Sequence, residues 1–358
     1  MLWKKFKKAA AVALTGCVLL GLSACGGNKV IITTSFGANE VFRVGNQRVE
    51  TTELMLYLTN IANEYEQVYG DELWEMQVDE NTTMLSHLKE MALAQLSQVK
   101  AMKLLAKEYD VTLSETEKTL TERAAGMYFE TLSQEEREAL GLEDQDIVEQ
   151  IYEEKLLADK LYAYLIRDVN PEISDDEARI ITVQHILLKT YSTDEHGNRQ
   201  EFDETAADKV HQKAQEIYEL AVAGENFDAL ISKYSEDTKG TYSFGMGEME
   251  ESFEEAAFAL ATEEIAPVVK TSHGYHIIKC ISTLDREQTD LNKEKLLVSR
   301  KQEVFGNTYN AFVEQLDKQT NTELIQSLTL PDNAIVDTTE LFDIYEKEVS
   351  AVLEEADS

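Results

Sequence analysis

From Val41 to Asp168 the chain contains no proline, and its apolar residues return every three or four positions, as in Leu85, Leu88, Ala92, Leu96 and Val99. The same spacing recurs in Ile147, Ile151, Ala158, Leu161 and Leu165. A sustained helical period with nothing to break it predicts a succession of amphipathic helices. Their starts are signposted by Ser114-Glu115-Thr116-Glu117, Ser133-Gln134-Glu135-Glu136 and Ser174-Asp175-Asp176-Glu177. In each, a hydroxyl and a carboxylate three residues apart can satisfy each other's free backbone N–H groups. Asn170-Pro171 precedes the last of these and predicts a domain boundary near Ser174. Ahead of the helices, Gly45-Asn46 between Val41–Val44 and Gln47–Val49 predicts a hairpin.

Between Ile180 and Ile281 the pattern becomes strand, long helix, short helix, short helix, strand. Ile181-Thr182-Val183-Gln184-His185-Ile186-Leu187-Leu188 is β-rich. A helix is expected over Thr205–Ala223, stopped by Gly224, with a second over Phe227–Tyr234. Ser252-Phe253-Glu254-Glu255 reads as a capping box opening a third helix to Leu260. Pro267 marks a strand edge, and Gly274-Tyr275-His276-Ile277-Ile278-Lys279-Cys280-Ile281 closes the unit. Helical spacing returns from Asp290 to about Leu316, and the chain ends in an acidic segment, 343–358.

The first residues place Lys4, Lys5, Lys7 and Lys8 before an apolar run from Ala9 to Leu22. That run is shorter than the roughly 20 residues a spanning helix needs, which predicts a secretory leader. Leu22-Ser23-Ala24-Cys25 resembles the bacterial lipobox, which implies acylation of Cys25 and a lipid anchor on the outer face of the membrane. Of three cysteines only Cys280 would then remain as a thiol, so no disulfide framework is available. The formal charge is −35 and becomes more negative once the four leader lysines are removed. Nucleic acid is thereby excluded as a partner; the charge suits simple solubility or a recruiting role biased against acidic clients.

Val183-Gln184-His185-Ile186-Leu187, Gly224-Glu225-Asn226-Phe227-Asp228-Ala229-Leu230 and Tyr234-Ser235-Glu236-Asp237 follow one another at the spacing of the parvulin family. Phe244-Gly245-Met246-Gly247-Glu248-Met249, Phe253 to Leu260, Val268 to Thr271 and Gly274 to Lys279 continue in that family's order. The segment resembles a parvulin-type peptidyl-prolyl isomerase, and the whole layout resembles the PrsA-type extracytoplasmic foldases. The resemblance implies an α+β fold: a four-stranded antiparallel sheet with four helices, inserted into an α-helical chaperone domain. The implied division is a leader (1–24), a lipidated tether (25–40), an α-rich part (41–173), the parvulin domain (174–284), a second α-rich part (285–342) and an acidic tail (343–358).

Carried over residue by residue, the resemblance implies a hydrogen-bonded network of His185, Asp237 and His276. A prolyl pocket would be formed by Met249 and Phe253 with Phe244 close by, and no cofactor or metal is implied. These residue types also suit a buried polar cluster that fixes sheet geometry and an ordinary core beside a helix, and the sequence leaves both readings open. Cys280 shares a strand face with His276 and Ile278, which reads as core. His87, His196, His211 and His273 have no metal-site spacing. Two departures from the family stand out. Lys239-Gly240-Thr241-Tyr242-Ser243 is short and lacks the usual leucine, so one groove wall is unassigned unless Tyr242 supplies it. The loop Tyr191–Gln200 offers only Lys189 and Arg199 nearby, which argues against phosphate-directed specificity. The expected function is isomerisation of X-Pro bonds in unfolded or nascent exported proteins. Two alternatives stand beside it: a binding-only chaperone, and a solute-binding lipoprotein, against which the missing alternation of strands and helices argues.

Overall fold

Gly45 takes a φ of +56°, the left-handed turn that lets Glu40–Val44 fold back on Gln47–Glu50 as a hairpin. These strands, β1 and β2, open the computed structural model, which describes residues 36–79 and 82–351. The further strands in chain order are β3 (Ile181–Lys189), β4 (Tyr191–Thr193), β5 (Arg199–Glu201), β6 (Thr241–Phe244), β7 (Val269–Thr271), β8 (Gly274–Ser282) and β9 (Lys318–Thr320). The leader and Cys25 lie outside the described residues. The chain divides into two units, one running to Asp168 and resuming at Gln302, the other spanning Val169–Lys301.

In the first unit the expected helices form at Thr51–Tyr69, Met84–Glu108, Glu115–Thr131, Gln134–Leu140 and Asp146–Ile166. Ser114 with Glu117 and Ser133 with Glu136 make complete capping boxes. Their apolar stripes meet in a core that includes Leu54, Leu58, Leu96, Tyr128, Ile151 and Tyr152. Burying each large apolar side chain contributes about 1.5–3 kcal/mol.

The C-terminal flank enters this core in two ways that local periodicity does not announce. β9 pairs antiparallel with β1, giving a sheet ordered β2-β1-β9. Asn63 donates its side-chain amide to the carbonyls of Val336 and Thr338, and the Leu341 N–H donates to Asn60 Oδ1. The segment expected to be an acidic tail is helical over its described part, with Tyr345 and Val349 buried in the core. Its acids face outward while one apolar stripe faces in, so composition concealed an amphipathic segment.

The second unit is built on a four-stranded antiparallel sheet ordered β6-β3-β8-β7, as the fold class required. One face carries Ile186, Leu188, Tyr275 and Ile277 against the helices Glu204–Val222 and Phe227–Tyr234. The opposite face carries Val183, Ile278 and Cys280 against the helix Glu251–Phe258, through Phe253 and Ala257. Cys280 is fully buried there. The long helix ends one residue earlier than expected, with Gly224 just beyond it at a φ of +94°.

Two capping expectations are corrected. Ser252 does not cap a helix: its hydroxyl donates to the Lys270 carbonyl at 2.9 Å, and the helix begins at Glu251 with Glu250 as the preceding residue. Ser174 accepts from the Glu177 N–H, but the Glu177 carboxylate turns to Arg300 instead of completing the box. In both cases a partner distant in sequence competes for the group that local spacing had assigned. The loop Tyr191–Gln200 contains the ribbon β4-β5, and Arg199 lies over the Tyr191 ring at 3.9 Å.

Candidate active site

Antiparallel register brings the two histidines together. His185 on β3 stands opposite Ile278, and His276 on β8 stands opposite Leu187, so both imidazoles project from the Phe253 face of the sheet. Both are about 95% buried. Their Nδ1 atoms lie 3.1 Å apart, and His185 Nε2 is 2.9 Å from Asp237 Oδ2. Tyr242, opposite Val183 on β6, donates its hydroxyl to the same carboxylate oxygen at 2.9 Å. At the other end, Thr271 Oγ1 lies 2.7 Å from His276 Nε2 and accepts the His273 N–H.

One set of tautomers satisfies every bond. Asp237, as a carboxylate, accepts from Tyr242 and from His185 Nε2–H, which leaves His185 Nδ1 as an acceptor. His276 then donates from Nδ1, and its Nε2 accepts from the Thr271 hydroxyl. The result is a chain running in one direction, from Thr271 through His276 and His185 to Asp237, with Tyr242 closing on the same anion.

Burial dominates the electrostatics. It holds the His276 imidazolium down to a pKa of about 3, with the neighbouring His185 and His273 charges acting in the same direction. His185 is also lowered by burial, against the opposing pull of Asp237. For Asp237, burial pushes upward, but hydrogen bonds from the Lys239 N–H, the Tyr242 hydroxyl and His185 hold its carboxyl below the usual range. The cluster is therefore two neutral imidazoles beside one carboxylate.

The apolar side of the site is equally ordered. The Phe253 ring stands edge-on to His185 and His276, with centroids 5.6 and 5.1 Å away, and Tyr242 stands edge-on to His185 at 5.2 Å. Met249 is half-buried against this cluster, and its loop is pinned by Glu254, which accepts the Gly247 N–H at 2.7 Å. Phe244 is 1% exposed and lies 5.9 Å from Phe253, so it supports that ring from beneath rather than lining an open surface. A separate concavity of about 610 Å³ opens on the other face, past Gln184, Asp228, Glu263 and Lys279. The Gln184–Asp228 hydrogen bond and the Lys279–Glu263 ion pair lie among its lining residues.

Residues 185–282 match the Rotamase family model, described as a PPIC-type PPIASE domain. The chain carries a parvulin-type peptidyl-prolyl isomerase domain. Residues 2–121 match a SurA-like N-terminal domain. The chain is similar to foldase protein PrsA 3 of Bacillus cereus, 27% identical over 321 residues that cover 87% of this chain and 90% of the relative. It is also similar to foldase protein PrsA of Caldanaerobacter subterraneus, 38% identical over 136 residues, 35% of this chain and 40% of that one. A crystal structure of the peptidylprolyl isomerase PrsA from Bacillus cereus aligns at 20% identity over 76% of this chain and 98% of that one, with a TM-score of 0.35.

The family resemblance names His185, Asp237, His276, Met249, Phe253 and Phe244, and the structure places all six on or behind one face of the sheet. The resemblance does not name Thr271, a threonine at the end of a three-residue strand with nothing local to mark it. The sequence offers Tyr242 only as a substitute wall. Its hydroxyl bond to Asp237 depends on the β3–β6 register, which a single strand cannot reveal.

Proposed function

We propose that this protein is a lipid-anchored, extracytoplasmic foldase that isomerises X-Pro bonds in exported chains, using the face that carries His185, Asp237 and His276. The observation that carries the reading is the one-directional chain of hydrogen bonds under an apolar wall of Met249 and Phe253. An X-Pro amide resists rotation because conjugation keeps it planar, a barrier of about 18–20 kcal/mol. No bond is made or broken, so a catalyst has only to favour the twisted amide over both planar forms. Met249 and Phe253 suit a pyrrolidine ring, which is apolar and flat-sided. The neutral imidazoles and the oriented carboxylate offer a fixed field in a site from which water is largely displaced. Fixed dipoles of this kind need no reorganisation as the amide charge shifts.

In a protease-free assay on a short prolyl peptide, Asp237→Ala and His185→Ala are each expected to lower kcat/KM by about 10–100-fold, the value of a hydrogen bond to a charged group. Met249→Ala acts on the ring contact, and Tyr242→Phe, which keeps the ring, has a smaller effect. The rate should show no inflection near pH 6.5, the ordinary imidazole value, because both histidines are held neutral below it. Wild-type rates in all four variants would refute the assignment. Suppression of client aggregation without any isomerase activity would select the binding-only chaperone.

The anchoring rests on the leader and the lipobox-like Leu22-Ser23-Ala24-Cys25. Among the described residues no helix is long and apolar enough to cross a membrane, so retention would depend on acyl chains. Cys25→Ala is expected to move the protein from the membrane fraction to the medium, read by fractionation and by loss of acyl mass. Retention of the variant on the membrane would overturn this part.

A further inference from the structure

The end of the helix Thr51–Tyr69 and the segment after it expose an apolar surface that the isomerase site does not use. Of the fifteen large apolar side chains exposed among the described residues, five fall within residues 65–78: Tyr65, Val68, Tyr69, Met76 and Val78. Val68 and Tyr69 are 71% and 67% exposed. Spacing of three and four places Tyr65, Val68 and Tyr69 on one side of the helix. The Tyr65 and Tyr69 rings stack at 6.4 Å, and Tyr65 stands edge-on to Trp74 at 6.4 Å. Trp74 is 9% exposed, and its indole N–H donates to Glu66 Oε1 at 2.5 Å. The aromatic platform is thus held from below by a fixed indole.

The charge along this segment has one sign. No lysine or arginine occurs from Thr51 to Leu88, whereas Glu64, Asp71, Glu72 and Glu75 of the same segment are exposed. An anionic lipid surface or nucleic acid would be repelled by such charge. A second copy of this chain, at a formal −35, would be repelled as well. What complements aromatic faces set among carboxylates is a segment in which lysine or arginine alternates with apolar side chains. The cations pair with the acids and lie over the rings, while the apolar groups cover Val68 and Met76.

We propose that this surface docks extended, basic-apolar stretches of unfolded polypeptide. The proposal rests on the foldase reading for its biological sense but not for its test, because the surface and the histidine pair are altered separately. The experiment measures binding of a fluorescent fifteen-residue peptide of alternating lysine and leucine to the full chain, by anisotropy. Tyr69→Ser with Met76→Ser, both exposed in the folded protein, is expected to weaken binding about tenfold, the loss of two modest contacts. Raising salt from about 0.05 to 0.5 M should weaken the wild type severalfold, since the Debye length shrinks across that range. Far-ultraviolet circular dichroism and the isomerase rate on a short peptide should stay at wild-type values.

Equal binding of the peptide with glutamate in place of lysine would overturn the proposal, as would unchanged binding by the double variant. Sedimentation showing a dimer that the double variant abolishes would assign the surface to a second copy instead. Capture by phosphatidylglycerol vesicles, lost in the variant, would assign it to the membrane. Loss of isomerase activity in Asp237→Ala with peptide binding intact separates the catalytic site from this one. Absence of isomerase activity in the wild type would defeat the catalytic reading and leave this proposal standing.

Discussion

Replacing Lys100 by methionine is expected to cost the first unit about 3 kcal/mol at pH 8 and clearly less at pH 5. Lys100 is 1% exposed and stands between two carboxylates on other helices, 2.8 Å from Glu53 and 2.6 Å from Glu154. Glu154 has a second cation, Lys103, at 2.8 Å, whereas Glu53 faces Lys100 with the Tyr57 ring nearby. Burial pushes the Glu53 carboxyl up from 4.5 to about 7 even with Lys100 in place. A carboxyl whose folded-state pKa is raised binds its proton more tightly when folded. Stability therefore falls as pH rises from about 4.5 to about 7 and levels off above that. At pH 5 Glu53 is already protonated, and losing Lys100 removes only part of Glu154's solvation. At pH 8 the same loss leaves an ionised or forcibly protonated Glu53 in an apolar core.

Urea denaturation followed by the fluorescence of Trp74, which lies in this unit, reads the effect at both pH values. Glu53→Gln should flatten the wild-type slope across the window. A loss of equal size at the two pH values, or a gain from Lys100→Met, would mean that the three charges are not coupled as described.

Gly274→Ala is expected to destabilise the isomerase domain by about 3 kcal/mol or more and to remove most of its activity. A Cβ built on Gly274 falls 2.1 Å from the Leu188 carbonyl oxygen and 2.9 Å from the Lys189 Cα, at a φ of +140°. Both contacts are backbone, so no side chain can rotate away; the end of β3 or the β7–β8 hairpin must move. Movement of that hairpin carries Thr271 and His276 with it, which uncouples the imidazole pair at its threonine end. Gly247→Ala provides the contrast. Its φ of +84° is also positive, but nothing lies within 4 Å of the added carbon, so it should cost only about 1 kcal/mol of backbone strain. Hydrogen exchange of β3 and β8 and the isomerase rate distinguish the two. Similar, small losses in both variants would show that the sheet accommodates the methyl group at Gly274.

What could be read in advance was whatever has a local cause. The Ser114 and Ser133 capping boxes, the Gly45-Asn46 hairpin and the stop at Gly224 each depend on residues within a few positions. So did the spaced motifs that placed His185, Asp237 and His276 in one isomerase unit. Motif order also carried the fold class, because the strand and helix periods agreed with it at every step.

The failures share an opposite cause. Ser252 and Glu177 leave their capping partners for Lys270 and Arg300, which become neighbours only once the sheet and the helix Arg286–Val313 are in place. The acidic C-terminal segment reads as solvated, yet Tyr345 and Val349 are buried, because Asn60, Tyr152 and Asp159 hold Leu341 and Tyr345 through bonds spanning more than 180 residues. Thr271, the hydroxyl of Tyr242 and the Lys100 triad belong to the same class. By itself the sequence determined which elements form and which chemistry one face could carry. Tertiary structure decided which polar groups meet, because a hydrogen bond is set by distance in space, and pairing across separate strands and helices leaves no period in the chain.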